Sequence, residues 1–221
     1  MNQAKDKINF GDLRRLTPIT RSFGGERGQP VDRYYIERFL SRHALDIQGH
    51  VLEFENDTYT RRLGGDRVTR SDVLHAEAGN PQATIIADLS NAPHIPDQSF
   101  DCIICTQTLM YVYQIRAGIE TLHRILKPRG VLLVSYPGIS QINRYAMDHG
   151  GDYWRFTSLS AKRLFEEVFS NNGLEVKTHG NVLAATSFLY GLATEDLTPE
   201  ELNHHDPDYE VLITLRAVRT D

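Results

Sequence analysis

The chain has 221 residues, a formal net charge of −5, 40% hydrophobic and 24% charged residues, values that suit one soluble globular domain with a buried core. The acidic balance argues against a protein that wraps a phosphate backbone, so no nucleic-acid partner is expected. No apolar run reaches the roughly 18–20 residues of a membrane span, and "MNQAKDKINFGDLRR" lacks a signal-peptide core; the expected location is cytoplasmic.

In chain order, residues 1–30 read as a polar, glycine-bearing N-terminal extension laid over a single domain at 31–221. A helix begins after Pro30, with Val31, Tyr35, Phe39 and Leu40 on one face, and ends before "DIQGH". Strand candidates follow at Val51–Phe54, Arg67–Ser71, Ala83–Ala87, Asp101–Cys105 and Val131–Ser135. Between the first two, "TYTRR" supplies one or two helical turns and Gly64-Gly65 turns the chain. Gln114–Leu126 is amphipathic and closed by Lys127-Pro128. Ser158 is placed to cap a helix through Phe169. "GLEVKTH" and "DYEVLITLRAV" supply two late strands. The apolar "NVLAATSFLYGLA" between them either packs on the sheet or forms a surface for a dimer or partner domain.

Strand–helix alternation of this kind specifies an α/β fold with a mostly parallel sheet, whose ligands sit beyond the C-terminal strand ends. Cys102 and Cys105 have C-x-x-C spacing, but the isoleucines between them mark a strand interior, so both read as core. His204-His205 is solvated loop, and no metal site is expected. Arg14-Arg15 and Arg61-Arg62 read as solvated surface, or as a contact for a small phosphate. Asp72 follows the second strand candidate, where a carboxylate can accept from a ribose diol. Asp88 follows the third, where it can accept from an adenine amine while Leu89 packs on the ring.

"PDQSFDCIICTQTLMYV" and "LHRILKPRGVLLVSYP" then carry a specific likeness. From about Gly49 to Gly180 the chain resembles class I S-adenosylmethionine-dependent methyltransferases of the type 11 kind. "RGQPVDRYYIERFL", "YTRRLGG", "VTRSDVLH" and "GDYWRFTSLSAKRLFEEVF" resemble methyltransferase modules found beside or fused to bacterial glycosyltransferases. The resemblance implies a Rossmann-like three-layer sandwich, with strand order 3-2-1-4-5-7-6 and an antiparallel last strand. It implies S-adenosyl-L-methionine as cofactor, contacted at Glu53, Phe54, Glu55, Asp72, Val73, Asp88, Leu89, Thr106 and Gln107. The likeness to glycosyltransferase-associated modules implies a glycosyltransferase as partner, while the apolar segment leaves a homodimer open. Two positions depart from the family: Arg129 replaces one glycine, and Glu55 stands where the loop after the first strand carries its first glycine, which permits positive φ and close backbone approach.

"GISQINRYAMDHGGDYWRFTS" concentrates acceptor-side candidates. An alcohol acceptor needs a base, and His149 is the candidate, with Asp152 as orienter or substitute. Asp152 equally reads as a structural partner of Arg155. Tyr153 and Trp154 could stack on a sugar face. The expected activity is methyl transfer to oxygen of a small-molecule or glycan acceptor. The alternative is a non-catalytic accessory domain of the same fold with weakened cofactor binding. A dehydrogenase lacks its G-x-G-x-x-G.

Overall fold

The computed structural model describes residues 9–220. Its elements in order are α1 (Val31–Arg42), β1 (Gly49–Phe54), β2 (Val68–His75), β3 (Ile85–Ile86), β4 (Phe100–Thr106), α2 (Ile115–Ile125), β5 (Leu126–Pro137), α3 (Arg144–His149), α4 (Ser158–Glu166), β6 (Leu174–His179), α5 (Val182–Leu189), α6 (Pro199–Asn203) and β7 (Leu212–Val218). The seven strands form one sheet in the order β3-β2-β1-β4-β5-β7-β6. β1 through β5 pair in parallel, and β7 runs antiparallel to both β5 and β6. This is the Rossmann-like architecture and strand order that the resemblance implies.

β4 shows why the chain folds this way. Successive strand side chains alternate between faces, and in "FDCIICT" both faces are apolar. Cys102 and Ile104 join α1 and α5 in one core. Ile103 and Cys105 join α2 and α4 in the other. A strand apolar on both faces is stable only with helices on each side. Both thiols are free and buried, and burial pushes Cys105 up to about 12, so neither is a ready nucleophile.

Several element ends differ from the expectation. β2 runs four residues beyond Ser71, because Val73 and Leu74 are buried and Phe54 of β1 pairs with Leu74. β3 is reduced to Ile85–Ile86, which pair only with Leu74 and His75. α4 is capped by Thr157 rather than Ser158: Thr157 Oγ1 accepts from the Ser160 amide, and Ser160 Oγ accepts from the Thr157 amide. That helix ends at Glu166 instead of Phe169.

Residues 9–30 lie along the end of α5. The Ile19 amide donates to Tyr190 O at 2.7 Å, Thr20 Oγ1 to Gly191 O at 2.7 Å, and Gln141 Nε2 to Arg21 O at 2.8 Å. Gly24 is required there: its φ is +92°, and a Cβ would stand 2.3 Å from Leu192 O. Residues 1–8 of the extension lie outside the described residues. Among the described residues, no helix is long and apolar enough to cross a membrane.

Candidate functional site

The crevice to examine lies beyond the C-terminal ends of β1, β2, β3 and β4. At the end of β1, Glu53 is buried, and its carboxylate accepts from the Thr60 amide and Thr60 Oγ1 at 2.7 Å and from the Tyr59 amide at 3.2 Å. It holds the start of the π-helical turn Thr60–Gly64 that replaces a crossover helix. Burial pushes the Glu53 carboxyl up, against these hydrogen bonds. Its side chain therefore works as a cap, while Phe54 packs at the edge of the core. Glu55 adopts φ +69°, the left-handed region that a glycine would enter freely. Its exposed carboxylate stands 3.4 Å from His75 Nε2.

Asp72 is not at a strand end, which corrects the sequence reading. It pairs with Leu52 inside the β1–β2 ladder, three residues before β2 closes at His75. Its carboxylate is occupied: Oδ1 accepts from Thr84 Oγ1 at 2.8 Å, and Oδ2 meets His50 Nε2 at 2.6 Å and Arg70 Nη2 at 2.9 Å. Val73 is likewise inside the strand and buried, with its amide donating to Thr84 Oγ1 at 2.9 Å. The reason is the extra length of β2, which moves the true strand end to His75 and the next acid to Glu77. His75 Nδ1 is 2.7 Å from Glu77 O.

Asp88 does follow β3 and is exposed, its Oδ1 accepting from the Ser90 amide and hydroxyl at 2.9 and 2.8 Å. Leu89 is buried in the core beneath it. Thr106 closes β4, level with Ser135 of β5. Gln107 turns the chain with φ +49°, its amide donating to Ser135 O and Oγ, both at 3.1 Å. Gln107 Nε2 then donates to Asp32 Oδ2 at 3.0 Å. Asp32 Oδ1 and Gln107 Oε1 are buried acceptors without a hydrogen-bond partner. Such orphaned atoms are costly, and two together at a strand end form a place for a cationic donor. Asp32 was missed in the sequence, where it reads only as an acid in the first turn of a helix.

The acceptor side is built from the loops after β4 and β5. Tyr111 Oη accepts from Asn143 Nδ2 at 3.1 Å, and the Asn143 amide donates to Asp152 Oδ2 at 2.8 Å. Arg155 Nη1 and Nη2 donate to the two Asp152 oxygens at 2.6 and 2.8 Å. Burial raises the Asp152 carboxyl, but Arg155 and the Asn143 amide outweigh it and hold it below the usual carboxylate range. Asp152 is thus a loop brace, the structural alternative named above, and as an ion-paired buried acid it is a poor proton acceptor.

His149 ends α3, exposed and stacked on Tyr145 with ring centroids 4.2 Å apart. Its Nδ1 lies 2.8 Å from Tyr145 O. A carbonyl can only accept, so Nδ1 carries a proton, and Nε2 is the nitrogen left to act as a base. Beside it, Tyr153 Oη donates to Gly150 O at 2.7 Å. Tyr113 stacks near-parallel on Trp154 and edge-on to Tyr153, and all three rings are exposed. Tyr113 was missed in the sequence because it comes from the other loop, and no spacing rule connects the two.

Comparison with known proteins finds likenesses of sequence and of fold. Residues 39–134 match the family described as a methyltransferase domain. A probable S-adenosylmethionine-dependent methyltransferase of Mycolicibacterium smegmatis is 28% identical over 240 residues, covering 96% of this chain and 90% of that protein. Among solved structures, the N-methyltransferase NodS of Bradyrhizobium japonicum, in complex with S-adenosyl-L-homocysteine, aligns with a TM-score of 0.52 and 15% identity over 88% of this chain and 90% of its own. A SAM-dependent methyltransferase of Archaeoglobus fulgidus aligns with a TM-score of 0.55 and 10% identity, over 85% of this chain and 94% of its own. At such identities the structural likeness speaks for the fold.

Proposed function

We propose that this chain, which is similar in sequence and fold to S-adenosylmethionine-dependent methyltransferases, methylates a hydroxyl oxygen of a small carbohydrate-bearing acceptor. When bound, the cofactor supplies an electrophilic methyl group on a sulfonium. The residues at the strand ends suit it. The orphaned Asp32 Oδ1 and Gln107 Oε1 fit the ammonium of its methionine part. Asp88 fits the adenine amine, with Thr106 at the floor. The carboxylates of Glu55 and Glu77, flanking His75 at the end of β2, take the place assigned in the sequence to Asp72.

One observation carries the acceptor reading: a histidine with its Nε2 lone pair uncommitted stands beside three exposed aromatic rings. The C–H faces of a sugar pack well on such rings, and its hydroxyls are too weak as nucleophiles without a base. In this reading the acceptor hydroxyl passes its proton to His149 Nε2 as its oxygen is alkylated. The Asp152–Arg155 brace holds the loop that presents the rings, and alignment of oxygen and methyl carbon supplies much of the rate. The glycosyltransferase-associated modules that the chain resembles agree with a sugar acceptor.

Calorimetry with S-adenosylhomocysteine, followed by a screen of glycoside acceptors with labelled cofactor, tests the proposal. Micromolar cofactor binding with label on a sugar oxygen is the expected result. Transfer only to amines, or no binding at millimolar cofactor, would overturn it.

A further inference from the structure

A second cavity lies against β1, β2 and β3 on the face of the sheet that carries α2 and α4. Higher on this face, β1 and β2 contribute Leu52, Phe54 and Leu74 to the apolar core. Lower down, the same strands carry His50, Arg70 and Asp72 instead. No helix covers them: the connection 87–99 between β3 and β4 contains only turns and bends. What remains is a cavity of about 380 Å³, with Thr84 and the Asp72 pair on its floor and Ile86, Pro96 and Phe100 among its walls. That volume is within the range of small-molecule sites.

The polar groups of this cavity are rich in donors and poor in free acceptors. His50 Nδ1 faces Ser99 O at 2.9 Å, and Nε2 faces Asp72 Oδ2 at 2.6 Å. Both oxygens can only accept, so the ring turns no free acceptor toward the cavity. Arg70 brings a positive charge, its side chain 67% exposed and paired only with Asp72. The nearby Asp101, which accepts from the His50 amide, is matched by Lys127 at 2.7 Å. The Asp72 oxygens are already engaged by His50, Thr84 and Arg70, so the exposed guanidinium keeps donors to spare. A cavity with a guanidinium that has donors to spare, no free acceptor and apolar walls selects an anion with an apolar body.

We propose that this cavity is a second ligand site for a small organic monoanion, a carboxylate carrying an apolar or aromatic group. Arg70 grips the carboxylate, and the group packs on Ile86 and Pro96. The site stands apart from the strand-end crevice and does not depend on the methyl-transfer reading.

The probe is benzoate, titrated into the full chain and followed by the His50 ring signals in NMR and by calorimetry. Saturable binding that perturbs His50 is expected. Arg70→Ala should weaken it at least tenfold, Ile86→Glu should abolish it, and saturating S-adenosylhomocysteine should leave it unchanged. Arg70 and Ile86 are exposed, so both variants should fold, as circular dichroism would verify. Four results would each overturn the proposal: no saturable binding, equal binding of neutral benzamide, equal binding of inorganic phosphate, or displacement by S-adenosylhomocysteine.

Discussion

Glu55 gives the sharpest test of the reasoning about the cofactor loop. Its φ of +69° costs a residue with a Cβ about 1–2 kcal/mol. Replacing it by glycine removes that cost but returns about 0.4–1 kcal/mol through the greater freedom of the unfolded chain. The contact to His75 at 3.4 Å involves a carboxylate that is 71% exposed, so its loss costs only a few tenths of a kcal/mol. The balance favours Glu55→Gly by about 0.5 kcal/mol, a rise in Tm of about 1–2 °C for a chain of this size. Glu55→Ala keeps the strain and loses the contact, so its Tm should equal or fall below that of the parent. Cofactor affinity should move the other way from stability: if the Glu55 carboxylate meets the ribose, Glu55→Gly binds S-adenosylhomocysteine about tenfold more weakly. Scanning calorimetry and titration calorimetry on the same samples separate the two effects. A Glu55→Gly protein no more stable than Glu55→Ala would refute the strain argument. Tighter cofactor binding in Glu55→Gly would refute the carboxylate's role and leave it an obstruction in a glycine position.

Three further outcomes follow from the geometry. His149→Ala should lower kcat by about 10²–10⁴ with cofactor affinity unchanged; turnover within a fewfold of the parent would remove His149 from the mechanism. Asp152→Asn should cost about 1–3 kcal/mol, because Arg155 is left partly buried without its counter-charge, and would be read from the denaturant midpoint. Since the folded Asp152 carboxyl is held below its ordinary value of 3.8, its contribution is present above about pH 4 and fades as the pH falls further; Asp152→Asn should flatten that acid limb. His179 is half-buried and stacked on Tyr35, and burial first, then the charges of Arg42, His205, Lys177 and Arg38, lowers it to about 4. The unfolded chain binds that proton near pH 6.5 while the folded chain refuses it, so stability should drop between pH 6.5 and 4, by on the order of 3 kcal/mol. Thermal scans of His179→Phe across that window should show the slope removed.

The architecture was legible because it rests on local pattern. β4 is apolar at every central position, α2 carries a clear apolar stripe, and a chain that alternates such segments has few ways to cover both faces of its strands. The same pattern placed Cys102 and Cys105 in the core and Asp88 past a strand end. Strand length was another matter. Nothing in "VTRSDVLH" announces that Val73 and Leu74 continue β2, because that depends on Glu53 being there to pair with Val73, and Phe54 and Ile85 with Leu74. This extension turned Asp72 from a ribose ligand into the partner of His50. The remaining site features depend on residues far apart in sequence: Asp32 on Gln107, Tyr113 on Trp154, Arg70 on His50. Periodicity along one segment reports what that segment buries, whereas a binding site is made where several segments meet. Only the folded sheet decides which polar groups find partners there and which, like Asp32 Oδ1, are left to receive one.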